Sequence, residues 1–171
     1  MKENDNLEIE KKYLVDSIDK VMKYVNLDEC KKIYIEQGYL SSNPTIRVRK
    51  FNNEYCITYK SRINNKVSSD VIVNQEIELP LTDESYNNMI KKIDYNLVKK
   101  IRYQIPLENG LMAELDVFDE KLKGLVMVEV EFENEDIANS FKEPEWFGKN
   151  VSADKKYKNL YLAQIENVQL L

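Results

Sequence analysis

The chain has 171 residues, a length that suits one domain built around a full barrel or sandwich. Hydrophobic residues make up 43% of it and charged residues 32%, which supplies a core and argues against disorder. The formal net charge of −5 provides no overall basic field of the kind that marks a nucleic-acid-binding protein.

The N-terminal part is predicted to hold four strands and one helix. In the first strand, residues 7–15, the side chains of Glu8, Glu10 and Lys12 share one face because side chains alternate along a strand. Asp16 or Ser17 then caps a helix. That helix is expected to reach residue 24, and the further strands are expected over residues 32–40, 45–51 and 54–61.

The rest of the chain is predicted to mix strands and helices. Pro80 is expected to end a strand, and Thr82 caps the following helix, which runs to about residue 93. Strands are expected over residues 70–79, 96–105, 111–118 and 126–133, with helices over residues 135–141 and from Ser152 or Asp154 to 165. No linker is long enough to divide the chain, so residues 1–171 are predicted to form a single domain.

Charged residues occupy many polar positions of these strands, in pairs of one sign around a central apolar residue. The acidic pairs are Glu8/Glu10, Glu76/Glu78, Glu114/Asp116 and Glu129/Glu131, and the basic pairs are Arg47/Arg49 and Lys100/Arg102, with Lys12 and Lys60 added singly. Like charges on neighbouring same-face positions repel unless an opposite charge or a ligand lies among them. These side chains must therefore face water, one another or a ligand.

Two arrangements of the strands satisfy this requirement. In the first, the charged faces form the outer surface of an ordinary sandwich or half-barrel, as solvated strand faces often do. In the second, about eight strands close into a barrel whose charged faces point inward and whose apolar faces point outward under the helices. The amphipathic helices and the like-sign pairs favour the second arrangement.

The chain contains no histidine, which excludes Ser-His-Asp and Cys-His catalysis and imidazole-ligated metals. Any metal must be held by oxygen, which points to Mg²⁺, Mn²⁺ or Ca²⁺.

The two cysteines and the N-terminus indicate the compartment. Cys30 and Cys56 lack metal-ligand spacing, and the N-terminus lacks the apolar run of a signal peptide. Reduced thiols in a cytoplasmic protein are therefore expected. No apolar run approaches the roughly 20 residues needed to cross a bilayer, so no membrane partner is expected.

These motifs resemble those of the CYTH superfamily, the triphosphate tunnel metalloenzymes, over nearly the whole chain. The matching motifs are E-x-E-x-K at Glu8/Glu10/Lys12, R-x-R at Arg47/Arg49, Lys60, E-x-E at Glu76/Glu78, K-x-R at Lys100/Arg102, E-x-D at Glu114/Asp116 and E-x-E at Glu129/Glu131. The tail from Trp146 to Ala163 is similar to that of the short bacterial inorganic triphosphatases. The resemblance implies an α+β, mainly β fold: an eight-stranded antiparallel β-barrel forming a tunnel with a charged interior, flanked by amphipathic helices.

The resemblance also implies a set of basic residues that bind a triphosphate inside the tunnel. Carried over residue by residue, the substrate-binding set is Lys12, Arg47, Arg49, Lys60, Lys100 and Arg102, with Lys156 of the last helix at the tunnel mouth. Arginine offers phosphate a planar fork and lysine a compact point charge. The catalytic set implied in the same way is Glu8, Glu10, Lys12, Lys100 and Arg102.

The acidic residues are expected to hold Mg²⁺ or Mn²⁺, the divalent ions that oxygen ligands and a phosphate substrate select. The implied metal set is Glu8, Glu10, Glu129 and Glu131, with Glu76, Glu78, Glu114 and Asp116 either ligating or anchoring the basic side chains. One ion would bridge phosphate oxygens, and a second could activate a water for attack on the terminal phosphorus.

The expected reaction is hydrolysis of inorganic triphosphate to pyrophosphate and phosphate. A class IV-type adenylate cyclase, a thiamine triphosphatase and a non-catalytic polyphosphate- or nucleotide-binding module remain as alternatives. The partner is expected to be a small-molecule triphosphate, with no nucleic acid, and the chain is expected to be a monomer or a homodimer.

Overall fold

A computed structural model describes residues 7–62 and 72–171. Its eight strands are antiparallel and close into a barrel with the order β1-β5-β4-β3-β2-β6-β7-β8, which confirms the predicted fold class. The strands are β1 (Leu7–Leu14), β2 (Lys31–Ser42), β3 (Thr45–Phe51), β4 (Glu54–Arg62), β5 (Ile72–Leu81), β6 (Val98–Pro106), β7 (Met112–Phe118) and β8 (Val126–Glu131). The first two residues of the predicted strand 70–79 lie outside the described residues.

Short helices flank the barrel, and three of the four α-helices begin at a side-chain cap. The α-helices are α1 (Ile18–Met22), α2 (Asp83–Ile90), α3 (Glu135–Ser140) and α4 (Asn159–Leu162), with 3-10 turns at Leu27–Glu29, Glu108–Gly110, Glu120–Leu122, Lys155–Tyr157 and Val168–Leu170. Ser17 and Thr82 accept hydrogen bonds from the backbone N–H groups of Lys20 and Ser85, as their sequence positions predict. No helix among residues 7–62 and 72–171 is long and apolar enough to cross a bilayer.

Several predicted boundaries differ from the structure by one to three residues, among them the helix predicted to about residue 93, which ends at Ile90. Two of the errors have a clear local cause. The strand predicted to end at Pro80 continues to Leu81, because β5 pairs with β1 only up to Gln75 and has a single neighbour at Pro80. A proline without an N–H is tolerated at such an edge position. The single C-terminal helix predicted to reach residue 165 is instead a 3-10 turn and α4, separated by Lys158 in an extended conformation.

The outward face of the barrel carries one of two apolar cores. Tyr13, Leu115 and Val128 point away from the bore and pack under α1 and α3 with Trp146 and Phe147. The Tyr13 and Phe147 rings lie 4.9 Å apart between centroids, a separation typical of packed aromatic pairs. The apolar half of each alternating strand is thereby buried, which leaves the charged half facing the bore.

The second apolar core lies within one end of the barrel. Here the inward positions of the strands are apolar rather than charged, as at Val98, Phe118 and Met127. Leu162 and Ala163 from the C-terminal segment pack against these side chains. The backbone N–H of Asn96 fixes the segment further by donating to the Ala163 carbonyl at 2.9 Å. The C-terminal segment therefore covers the part of this barrel end that β1, β2, β6, β7 and β8 form.

Candidate active site

The bore contains a cavity of about 280 Å³ that gathers most of the charged residues singled out by the sequence. The predicted site residues that line it are Glu8, Glu10, Lys12, Arg47, Arg49, Lys60, Glu76, Lys100, Arg102, Glu129 and Glu131. Tyr39, Thr45, Thr58, Lys158, Asn159 and Leu160 complete the lining. Period-two alternation thus places charges from six of the eight strands around one space.

The strands β1, β6, β7 and β8 form one side of the cavity, here called the paired wall. Its cations Lys12, Lys100 and Arg102 are each held by a carboxylate. Lys12 Nζ lies 2.8 Å from Glu129 Oε1, and Lys100 pairs with the fully buried Asp116. Arg102 donates from Nε and Nη2 to the two oxygens of Asp116, each at 2.7 Å, and from Nη2 to Glu129 Oε2 at 2.9 Å. This wall is neutralised before any ligand binds.

Burial and pairing act in opposite directions on the pKa values of the paired wall. Burial disfavours the charge of Lys12, but Glu129 and Glu10 outweigh it and raise the Lys12 pKa. Burial also lowers the pKa of Lys100, and the positive charge of Arg102 lowers it further. Asp116 raises it, but the net result is a pKa of about 8. The Lys100 ammonium is therefore a group that can lose its proton near neutral pH.

The strands β3, β4 and β5 form the opposite side, here called the arginine wall. Its ion pairs are longer: Arg47 Nη2 donates to Glu76 and Arg49 Nη2 to Glu78, each at 3.3 Å. Within the described residues, the buried Nε atoms of Arg47 and Arg49 have no hydrogen-bond partner. Burial together with the nearby Arg47 and Arg102 lowers the pKa of Arg49 to about 10. These guanidinium groups keep donors that a ligand can satisfy.

Lys60 links the arginine wall to the first strand. Its ammonium pairs with Glu8 and lies 3.3 Å from Glu76 Oε2. Burial disfavours this charge, but the surrounding carboxylates outweigh burial and raise the Lys60 pKa. Thr58, two residues before Lys60 on the same face, donates to Glu78 Oε2 at 3.3 Å. Because residues two apart on a strand share a face, the spacing of Thr58 from Lys60 is the sequence signal that identifies Thr58 as a lining residue.

Glu10 and Glu131 are directly opposite each other where β1 pairs with β8. Neither carboxylate has an ion-pair partner within residues 7–62 and 72–171. Burial raises the pKa of Glu10, and burial with the carboxylates of Glu114, Glu8 and Glu10 raises the pKa of Glu131 to about 7. At these two neighbouring acids, the nearby positive charge does not offset burial and the repulsion between carboxylates.

The donor set at this place suits an ion shared with a ligand better than a closed protein cage. In the described part of the chain, no three acidic or cysteine side chains converge closely enough to hold a metal by themselves. Mg²⁺ is commonly held by one or two carboxylates together with substrate phosphates. Glu10 and Glu131, with Glu8 nearby, fit that pattern. By contrast, Asp116 and Glu129 already hold two cations each.

Four of the predicted site residues do not line the cavity. Asp116 and Glu114 lie behind Arg102, and Glu78 lies behind Arg49, so each anchors a cation. Lys156, predicted at the tunnel mouth, is exposed and donates to the Leu171 carbonyl at 3.2 Å. Lys158 lines the cavity instead. Periodicity could not indicate this, because the extended backbone at Lys158 interrupts the helix that was predicted there.

Known proteins with similar sequences are described as inorganic triphosphatases. The one from Nitrosomonas europaea is 36% identical over 160 residues, covering 91% of this chain and 96% of its own length. The one from Acetivibrio thermocellus is 30% identical over 160 residues, covering 92% and 93%. A crystal structure of an inorganic triphosphatase aligns with a TM-score of 0.66 at 34% identity, covering 94% of this chain and 96% of that one. No family model matches the chain.

Proposed function

We propose that this chain, which belongs to the same family as these inorganic triphosphatases, hydrolyses inorganic triphosphate to pyrophosphate and phosphate. The observation that carries the proposal is the cavity itself, in which six cations converge from four strands: Lys12, Arg47, Arg49, Lys60, Lys100 and Arg102. We also infer that the chain is a member of the CYTH superfamily, since each motif of that superfamily lies on a barrel strand.

In this proposal the arginine wall binds the phosphate oxygens. The Nε groups of Arg47 and Arg49 are buried donors with no hydrogen-bond partner in the described part of the chain, and a phosphate would satisfy them with charge-assisted hydrogen bonds. The Glu76 and Glu78 carboxylates orient the two guanidinium groups. Donors that are already oriented stabilise charge that develops on the transferred phosphoryl group without further rearrangement.

The paired wall closes the other side of the substrate. Lys100 and Arg102 are fixed by Asp116, so their charges face the cavity at defined positions. Because both cations are partly neutralised, they add moderate attraction to substrate and to product alike. We therefore assign them mainly to positioning of the phosphate chain.

Mg²⁺ or Mn²⁺ is the proposed cofactor, held by Glu10 and Glu131 with help from Glu8. When bound, such an ion neutralises phosphate oxygens and activates water. The chain itself has no histidine to accept a proton from that water. A carboxylate of the bore must therefore serve as the base.

The direct test offers the purified protein inorganic triphosphate, ATP and thiamine triphosphate in separate reactions with Mg²⁺ or Mn²⁺. Phosphate, pyrophosphate and cyclic AMP are measured in each. We expect rapid phosphate release from inorganic triphosphate, accompanied by pyrophosphate. Formation of cyclic AMP from ATP would instead identify an adenylate cyclase. Preferred cleavage of thiamine triphosphate would identify a thiamine triphosphatase, and tight binding without turnover would identify a binding module.

The proposed metal site is tested with Glu10→Gln. We expect the variant to lose triphosphate hydrolysis and also the Mn²⁺ binding that calorimetry measures with pyrophosphate present, because it lacks one of the carboxylates that hold the ion. Glu84→Gln, an exposed position in the first turn of α2, is the matched control and should behave as wild type. Unchanged hydrolysis and Mn²⁺ binding in Glu10→Gln would remove Glu10 from the site.

A further inference from the structure

The outward side chains of β4 and β5 form an apolar face on the side of the barrel. Their direction follows from alternation, because Lys60 and Glu76, the chain neighbours of Tyr59 and Ile77, line the cavity. Tyr59, Ile77 and Leu79 are exposed. The face, here called the β4–β5 face, consists of three directly opposed pairs: Tyr55/Leu81, Ile57/Leu79 and Tyr59/Ile77. Contiguous exposed apolar side chains, unlike scattered ones, mark a contact surface.

The six positions of the β4–β5 face carry no charge, although 32% of the chain is charged. Tyr34 on β2 provides the contrast. It is also exposed, but Lys32 and Glu36 flank it on the same outer face. Lys99 Nζ lies 3.7 Å from Glu36 Oε2 and adds a further charge there. The exposed apolar side chains of β4 and β5 therefore adjoin one another, whereas Tyr34 lies among ions.

The lack of charge indicates which partner the β4–β5 face fits. Two copies of a chain with net charge −5 repel each other, and contact through an uncharged face adds no further repulsion. In a two-fold contact the same patch lies on both sides, so a charge near the axis would meet its own copy. A partner recognised by opposite charge would instead need charges on this face. The β4–β5 face therefore fits a second copy of the same chain.

A second copy bound at this face would cover the outside of the arginine wall. On the paired wall, Leu115 and Val128 are already buried under helices of the same chain. The partner would bury Tyr59 and Leu79 in the same way, and tyrosine is among the residues enriched in the cores of protein interfaces. The face lies on the side of each strand opposite to the cavity lining, so the contact leaves the bore open.

We propose that the protein forms a homodimer in which the β4–β5 face of one copy binds the same face of the other across a two-fold axis. Each copy keeps its own bore, and Tyr59, Ile77 and Leu79 are buried in the contact. This inference goes beyond the proposed function and does not depend on it.

Sedimentation velocity of the 171-residue protein tests the contact. Wild type is compared with Leu79→Lys and with the matched control Tyr34→Lys, which adds the same charge at an exposed apolar position of β2. We expect wild type to have the mass of a dimer at about 100 µM protein, and Tyr34→Lys to match it. Leu79→Lys should weaken dimerisation more than about tenfold, because like charges would face each other in the contact.

Two further measurements complete the test. Thermal unfolding should show that the variants are folded. An equimolar mixture of Leu79→Lys and Leu79→Glu should restore the dimer that neither variant forms alone, because each face meets its own copy. A monomeric wild type, equal weakening by both lysine variants, an unweakened Leu79→Lys dimer or no recovery in the mixture would overturn the inference. Binding of wild type, but not of Leu79→Lys, to phosphatidylcholine vesicles would instead assign the face to a lipid surface.

Discussion

The paired wall and the arginine wall line the same cavity, but they hold their cations differently. On the paired wall, Arg102 donates to Asp116 and Glu129 at 2.7–2.9 Å, and Asp116 is 0% exposed. On the arginine wall, Arg47 and Arg49 contact Glu76 and Glu78 at 3.3 Å, and the Glu78 side chain is 45% exposed. The comparison indicates a preformed scaffold on one side and available donors on the other.

The outer face of the paired wall is also more deeply buried than the outer face of the arginine wall. Behind the paired wall, Leu115 and Val128 are fully buried in the outer core. Behind the arginine wall, Tyr59, Ile77 and Leu79 remain 39%, 40% and 58% exposed. Deep packing on the first side holds the charged face in one arrangement, whereas the second side has fewer restraints. We therefore expect substitutions on the paired wall to affect folding first and those on the arginine wall to affect substrate first.

Asp116→Asn should give the largest effect. The carboxylate neutralises both Lys100 and Arg102 at full burial, and removing one partner of a buried pair costs about 3–5 kcal/mol of unfolding free energy. Denaturant unfolding measures this loss, and activity should fall with it. A variant whose stability matches wild type would show that the paired wall is not a scaffold.

Arg49→Ala should mainly change the kinetics. We expect KM to rise and kcat to fall, for a loss in kcat/KM on the order of 10²-fold, because the phosphate it binds gains charge in the transition state. Its unfolding free energy should fall by less than about 1 kcal/mol, since burial and nearby cations already disfavour this charge. A large loss of stability with normal kinetics would contradict the division between the walls.

The pH dependence should follow Lys100. Its lowered pKa, about 8, means that the ammonium is charged below that pH and neutral above it. We therefore expect kcat/KM for triphosphate, which reports the free enzyme, to fall as the pH rises through about 8 and to level off at a lower value, since Lys100 positions the phosphate chain. Lys100→Arg should move this fall to higher pH, and an unmoved profile would assign the titration to another group.

Glu78→Gln should give the smallest effect. The carboxylate is half exposed and its pair with Arg49 is long, so the unfolding free energy should change by less than about 1 kcal/mol. We expect a KM change of about twofold to threefold, since Glu78 orients Arg49 without contacting the cavity. Losses as large as those of Asp116→Asn would remove the contrast between the walls.

Much of this architecture follows from the local sequence. Alternation in residues 45–51 predicts β3 with the bounds Thr45–Phe51 that the structure has, and Ser17 and Thr82 cap the helices that they were predicted to cap. The alternation of charged and apolar residues along each strand indicates which side chains share a face. Like-sign pairs then favour a bore, because repelling neighbours require a partner or a ligand.

The closure of the barrel decided what the local pattern could not. Which carboxylates neutralise cations depends on strand neighbours far apart in the chain, so Asp116 and Glu129 became anchors while Glu10 and Glu131 were left facing each other. The same long-range packing placed Lys158, rather than Lys156, at the cavity. Sequence periodicity fixes the face of a side chain, but only tertiary contacts fix its partners, since those come from distant segments.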